Sequence, residues 1–433
     1  MYWSLELLHC IASGHSLYKR GGYSRSNCFS PSAFNSIHST VFQSLQTPAL
    51  QQLQFKTSTS SSATTTTTCS SAKKNYHALQ QNLIQLRLIK INLNRPFTKS
   101  ILKMSQATIL SQGIPSIFAA SNAIPNRLVH LIPDELARVV PDHSLFAHPK
   151  TDNPQDGFVE VSAKCFANAI NRTAWYLEST LGKNPVGFPA IAYIGSSDLR
   201  YFLLMFGAIK AGYKMLYLSP RNTVAGHVNV LEKSNCHVFM TSKGTNVGHI
   251  LSERAMTTYT VPELDDLLDD AAVPMYPYSK SFDEARKDPC LVLHTTGSTG
   301  LPKPITWKNE ILSTYEAWRT IPSIDGYIPT TEVYQGATRA YNSMPLFHTS
   351  GINTGITLSL LLGVTTVYGS AKIVPNADYA DQMHTYAGVD ASIGPPSAYE
   401  ELSREPASLE RIANFKYILV CGGMFPSTPP DLA

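Results

Sequence analysis

The sequence predicts an α/β protein built on mostly parallel sheet, and three observations carry that prediction. Short apolar runs alternate with stretches of helical periodicity from residue 190 to residue 242. An apolar run at 290–294 feeds a loop of small and hydroxyl residues, the pattern of a strand that ends at a binding loop. The chain has 433 residues, is 43% hydrophobic and has a mean hydropathy of −0.09, so it has material for two or three domains around a large core.

Element by element, "AIAYI" (Ala190–Ile194) reads as a short buried strand. Ser196 or Ser197 is placed to cap the next helix, in which Leu199, Phe202, Leu203, Phe206 and Ile209 recur at helical spacing and predict one buried face. Gly212 ends that helix, and "KMLYLSP" (214–220) is the next strand. A helix over 225–233 leads to the strand "CHVFMTS" (236–242). Strand, helix, strand, helix, strand implies parallel pairing with crossover helices. "PELDDLLDD" (262–270) reads as a short acidic helix or turn, and the prolines at 274–277 mark a loop. Residues 349–371 are uncharged, but four glycines and many Ser/Thr make them a buried helix followed by a strand rather than a membrane span.

The formal net charge of +4 conceals a division. Residues 1–103 hold eleven Lys/Arg and one acid, Glu6, for +10, while residues 104–433 hold twenty-four bases and thirty acids, for −6. The body therefore lacks the basic footprint of a nucleic-acid-binding protein. Seven cysteines, at 10, 28, 69, 165, 236, 290 and 421, show no CxxC spacing, which argues against a zinc site or a disulfide framework.

Residues 1–103 read as a separate low-complexity, basic and disordered extension. "TSTSSSATTTTTCSSA" (57–72) cannot repay the entropy of ordering, although 76–102 is locally helix-like. An organelle transit peptide has the same acid-poor composition. The reading adopted is a disordered or untranslated extension and a cytoplasmic body starting near Met104, where the composition changes; a mitochondrial address is the alternative.

"HTTGSTGLPKP" (His294–Pro304) is the most informative stretch. Gly297 and Gly300 let the backbone turn and approach a ligand, Thr295, Thr296, Ser298 and Thr299 add hydroxyls, and Lys303 adds a cation. Backbone donors, hydroxyls and one ammonium suit the oxygens of a polyphosphate. The Walker A loop needs Gly before its lysine and Ser/Thr after it, but Pro302 and Pro304 flank Lys303. Pro304 also disfavours a helix starting at the lysine, so the loop is expected to lead back into a strand.

This stretch resembles the phosphate-binding signature of adenylate-forming enzymes, the superfamily of acyl-CoA synthetases and nonribosomal-peptide-synthetase adenylation domains. Its "TGSTGLPKP" form is most similar to the adenylation domains of carboxylic-acid and aminoadipate reductases. "AIKAGYKMLYLSP" (208–220), "YNSMPLFHTSGI" (341–352), "SIGPPSAYEEL" (392–402) and "YILVCGG" (417–423) resemble further motifs of the family, in its order. The resemblance spans Phe118 to the C-terminus and implies the large N-terminal domain of such an enzyme, incomplete over 104–433 as a partial AMP-binding domain.

By resemblance, residues 295–300 and Lys303 grip the β- and γ-phosphates of ATP, with Mg²⁺, while a carboxylate attacks the α-phosphorus. In amino-acid-activating members an aspartate follows the motif's phenylalanine; here His348 follows Phe347. A neutral imidazole is a poor counter-ion for an ammonium, so the expected substrate is a small carboxylic acid without an α-amino group. Thr349 and Ile352 join His348 in the implied acyl pocket, and Gly422 and Gly423 lie at the implied adenine site. The partners implied are coenzyme A or carrier-protein pantetheine.

Three family features find no match here: an aromatic-Gly-x-Thr-Glu motif supplying the Mg²⁺-binding glutamate, a ribose-binding aspartate, and a C-terminal lysine on a small domain. The expectation is an N-terminal part of a larger synthetase, inactive alone, with a catalytically dead nucleotide- or acyl-binding regulator as the alternative. A P-loop NTPase is disfavoured by the absence of Gly-Lys-Ser/Thr.

Overall fold

A computed structural model of the chain describes residues 87–88, 116–118, 126–184, 187–295, 300–324 and 327–423. All of them belong to one compact unit. The expectation for residues 1–103 lies outside the described residues except at Arg87–Leu88.

The strands in chain order are β1 (Arg87–Leu88), β2 (Ser144–Pro149), β3 (Phe158–Ser162), β4 (Ala190–Ile194), β5 (Lys214–Tyr217), β6 (Val238–Thr241) and β7 (Thr257–Thr260). They continue with β8 (Pro289–Thr295), β9 (Lys303–Lys308), β10 (Arg339–Asn342), β11 (Thr365–Val367), β12 (Ala391–Gly394) and β13 (Tyr417–Val420). A seven-stranded sheet has the order β1-β13-β12-β10-β11-β2-β3, and a six-stranded sheet the order β7-β6-β4-β5-β8-β9. The interior pairs of both sheets are parallel, and antiparallel pairing occurs only at β1, β3 and β9. The predicted α/β class and parallel crossovers are therefore what the chain adopts. The apolar stretch after residue 349 forms the helix Thr349–Gly355, a π-helical turn Ile356–Leu361 and strand β11. Among the described residues no helix is long and apolar enough to cross a membrane.

The helix Arg200–Ala211 departs from its expected amphipathic form: all twelve residues are buried. Its surroundings explain this. Phe202 packs on Phe146 and Tyr368 beside the larger sheet, with ring centroids 5.4 and 6.1 Å away. Tyr201 meets Tyr193 and Tyr217 of the smaller sheet at 4.9 and 4.7 Å. The helix Ala163–Leu181 covers a third side, so close that a Cβ on Gly207 would stand 2.9 Å from Thr173 Cγ2. The helix is capped by Leu199 with no side-chain cap bond, not by the predicted Ser196 or Ser197; Asp198 Oδ1 accepts from Arg200 N at 3.0 Å just ahead of it, while Ser196 N donates to Ser242 Oγ. Gly212 ends it in the left-handed conformation at φ 85°.

Burying this helix also buries two cations, and each is answered. Arg200 pairs with Asp198 at 2.7 Å and with Glu263 at 3.3 Å. Lys210 donates to Asp134 Oδ2 at 2.6 Å and to Asn171 Oδ1 at 2.8 Å. Asn171 in turn donates to Asp134 and accepts from Tyr276 N. Burial lowers the Lys210 pKa and Asp134 opposes that shift. Lys210, in the "KAG" motif, is thus a structural residue. Removing one partner of a buried pair typically costs about 3–5 kcal/mol, so Asp134→Ala is expected to lower stability by that order in urea denaturation. Lys210→Met combined with Asp134→Leu is expected to recover much of the loss, and no recovery would show that the pair is not the source.

Candidate functional site

The smaller sheet contributes the hairpin β8–β9. Thr295 is the last residue of β8 and lies opposite Lys303, the first of β9; His294 lies opposite Pro304. The lysine therefore opens a strand, as Pro304 predicts, and not a helix. Thr296, Gly297, Ser298 and Thr299 lie outside the described residues. Gly300 has φ +92°, and a Cβ there would meet nothing within 4 Å. Lys303 is exposed and has no ion pair among the described residues.

The larger sheet contributes the turn after β10. Asn342, buried, donates to Thr354 Oγ1 at 2.7 Å and accepts from Met344 N at 3.0 Å, which joins the strand end to the helix Thr349–Gly355. A Cβ on Gly351 would stand 2.3 Å from Pro345 O, so only glycine lets this helix sit against the turn. His348 is its N-cap: Nδ1 accepts from Ser350 N at 3.3 Å and is 2.9 Å from Ser350 Oγ. The acceptor role of Nδ1 leaves the proton on Nε2. His348 is exposed, and partial desolvation by its neighbours lowers its pKa. Thr349 is half-buried, whereas Ile352 is buried in the main core. Of the three expected acyl-pocket residues, His348 and Thr349 alone reach solvent.

The ends of β12 and β13 lie beside this turn. Ser343 N donates to Ile393 O at 2.9 Å, and Cys421 N to Gly394 O at 3.0 Å. Gly422 has φ +93°, and its would-be Cβ is 3.8 Å from Met344 Cε; that of Gly423 is 3.4 Å from Pro396 Cγ. The "YNSMPLF", "SIGPP" and "YILVCGG" stretches thus meet at the carboxyl ends of three parallel strands, where open α/β sheets bind ligands. Burial is the main cause that lowers the His294 pKa, and the charge on His348 adds to it. The donor set around Thr295, Gly300 and Lys303 suits phosphate oxygens, and the bare backbone at Gly422 and Gly423 suits a flat base.

Sequence reasoning missed three supports. His294 Nε2 accepts from Ser219 N at 3.0 Å and lies 3.2 Å from Asn222 Nδ2. Asn229 Nδ2 donates to Pro302 O at 2.7 Å. His384 Nε2 meets Ser392 Oγ at 2.8 Å, and Ser392 Oγ meets Tyr399 Oη at 2.9 Å, a buried chain beneath Gly394. Only residue type marks them in sequence, and polar residues on turns and helices are too common to single out. The described cysteines are half-buried at 165 and buried at 236, 290 and 421, with no disulfide among them.

Burial pushes the His384 pKa down to about 4. Above pH 6.5 the ring is neutral folded and unfolded, and its full contribution is present. Between 6.5 and about 4 only the unfolded chain takes up the proton, so stability falls as pH falls through that window. The urea midpoint is expected to drop between pH 7 and pH 5, and His384→Gln to flatten that drop.

The family described as "AMP-binding enzyme" matches residues 138–430. An isocyanide synthase–NRPS hybrid of Aspergillus fumigatus is 36% identical over 311 residues, covering 70% of this chain and 20% of the relative. A carboxylic acid reductase of Neurospora crassa is 34% identical over 302 residues, covering 69% of this chain and 29% of the relative. The chain thus spans less than a third of either relative. In solved structures, the inhibitor-bound N-terminal domain of FACL13 from Mycobacterium tuberculosis aligns with TM-score 0.54 and 19% identity over 67% of this chain and 68% of that one. The N-terminal subdomain of Klebsiella oxytoca NpsA aligns with TM-score 0.50 and 15% identity, over 65% of each. These likenesses carry the fold, that of the N-terminal domain of adenylate-forming enzymes. With the family match over more than half its length, the chain belongs to the AMP-binding enzymes.

Proposed function

We propose that this chain forms the nucleotide- and acid-binding part of an ATP-dependent carboxylate-activating enzyme. A carboxylate oxygen of the acid bonds to the α-phosphorus of ATP, the bond from that phosphorus to the β-bridging oxygen breaks, and pyrophosphate leaves with the electron pair. The product is an acyl-adenylate, a mixed anhydride competent to acylate coenzyme A or carrier-protein pantetheine. No general base is required, because a carboxylate is already ionised at neutral pH.

In this reading Thr295, Thr296, Gly297, Ser298, Thr299, Gly300 and Lys303 hold the β- and γ-phosphates. The observation that carries it is Lys303: an ammonium without a carboxylate partner among the described residues, at the mouth of a hairpin, opposite Thr295 and near open space at Gly300. Such a cation favours an incoming polyanion and stabilises charge building up on the departing phosphates. Mg²⁺ would travel with the nucleotide and supply positive charge against the phosphate oxygens. Gly422 and Gly423 admit the adenine, while His348 and Thr349 line the acid's pocket with Ile352 behind them.

The acid is one without an α-amino group. His348 supports this, because its lowered pKa leaves it uncharged near neutrality, and an uncharged ring offers an ammonium no counter-ion. The similarity to a carboxylic acid reductase points the same way.

Lys303→Ala is expected to weaken MgATP binding by about tenfold or more in calorimetric titration, the scale of a charge-assisted contact, and to leave AMP binding nearly intact. Equal losses for the two nucleotides would remove the lysine from the phosphates. Asn and Asp are good N-caps, so His348→Asn and His348→Asp are expected to keep the helix start that His348→Ala loses at a cost of about 1 kcal/mol. Acid-dependent ATP–pyrophosphate exchange, run on this chain and on a downstream-extended version, is expected to show His348→Asp gaining α-amino acids at the expense of plain acids. Unchanged acid preference across all three variants would place His348 outside the pocket.

A further inference from the structure

Both ends of the loop between β8 and β9 are tied to one segment, residues 219–233, and nothing in the motif resemblance assigns that segment a role at the loop. At the entry, His294 Nε2 accepts from the backbone N–H of Ser219 at 3.0 Å and lies 3.2 Å from Asn222 Nδ2. These donors belong to a tight turn after β5, closed by Asn222 N to Ser219 O at 3.1 Å and by Arg221 N to Ser219 Oγ at 3.3 Å. The turn runs directly into the helix Val224–Lys233, whose N-cap Thr223 accepts from Gly226 N at 3.1 Å. One turn further along, Asn229 Nδ2 donates to Pro302 O at 2.7 Å, beside the exit of the loop. Gly226 lets the helix come that near: a Cβ there would be 3.2 Å from Pro302 Cδ.

We propose that residues 219–229 act as a two-point clamp, with His294 and Asn229 as positioning residues that fix Thr295 and Lys303 for the polyphosphate of a nucleotide. The inference rests on the phosphate reading of that hairpin. Neither residue touches the nucleotide in this account. Each acts through the backbone next to a group that does, His294 through Thr295 and Asn229 through Pro302 and Lys303. Thr295 and Lys303, held in place in advance, lose less conformational freedom on binding a ligand, so the clamp raises affinity without adding a contact. The tie at the entry requires an imidazole nitrogen that accepts, since both groups facing Nε2 are donors.

The test is calorimetric titration of MgATP and of AMP into the intact chain and its variants at neutral pH, with thermal melting alongside. His294→Phe and Asn229→Ala are each expected to weaken MgATP by about fivefold, within the range set by one lost hydrogen bond, while AMP affinity stays within about twofold. His294→Gln, which restores an acceptor at that reach, is expected to recover most of the MgATP affinity. A packing role alone would lower the melting temperature without separating the two nucleotides and without rescue by Gln. Lys303→Ala serves as the reference: if it loses MgATP while both clamp variants bind it as the parent does, the clamp is wrong and the phosphate reading stands. If Lys303→Ala leaves MgATP unchanged, the phosphate reading fails and the clamp with it. Should His294→Phe not fold, Asn229→Ala decides alone: parent-like MgATP binding overturns the proposal, and a selective loss supports it.

Discussion

The structure depends on one helix buried between two sheets. Arg200–Ala211 packs its aromatic residues on both sheets at once, so the carboxyl ends of β8 and of β10, β12 and β13 are held in a fixed relation. A helix in that position has no face for water, and its charged residues are tolerable only when paired. Asp198 and Glu263 answer Arg200, and Asp134 and Asn171 answer Lys210. Desolvating two cations is expensive, and their partners offset the cost and thereby specify where the helix lies. The site inherits its geometry from this arrangement.

At the strand ends the constraint is the opposite one, namely room. Gly351 lies against the Pro345 carbonyl, and Gly422 adopts a backbone conformation that side chains disfavour. Small residues there bring turns from three strands within contact of each other while leaving backbone exposed to a ligand. The polar chain of His384, Ser392 and Tyr399 ties β12 to side chains of two helices beneath these turns, through His384 Nε2 with Ser392 Oγ and Ser392 Oγ with Tyr399 Oη.

Much of this was legible in the residues. Strands β4, β5, β6 and β8 are short apolar runs bounded by glycine, proline or serine, and their parallel order follows from the helices between them. The strand after Lys303 follows from Pro304, and the family from motifs in order. What failed has a common cause. The helix Arg200–Ala211 shows a helical stripe in sequence, but whether its other faces are covered depends on residues as distant in sequence as Phe146 and Tyr368. Its N-cap at Leu199 rather than Ser196 goes with a bond from Ser196 N to Ser242, forty-six positions away. The same distance hid His294: its partners Ser219 and Asn222 lie more than seventy residues upstream. Local pattern reports local energetics, and these residues are placed by non-local ones.

In the proposed phosphate site, the strand that opens at Lys303 changes what the loop must do. Where a phosphate loop runs into a helix, the helix N-terminus supplies aligned N–H groups and a partial positive charge. Here the chain turns back antiparallel, and neighbouring strand dipoles largely cancel. Positive potential must then come from the ammonium and from individual N–H groups, which act only at hydrogen-bond distance. A site without a helix dipole is therefore more sensitive to the placement of each donor, and misplacement by about 1 Å weakens contacts that a diffuse field would tolerate. Holding both ends of the loop from one rigid turn and helix answers that sensitivity, because it fixes donors that nothing else in the hairpin aims.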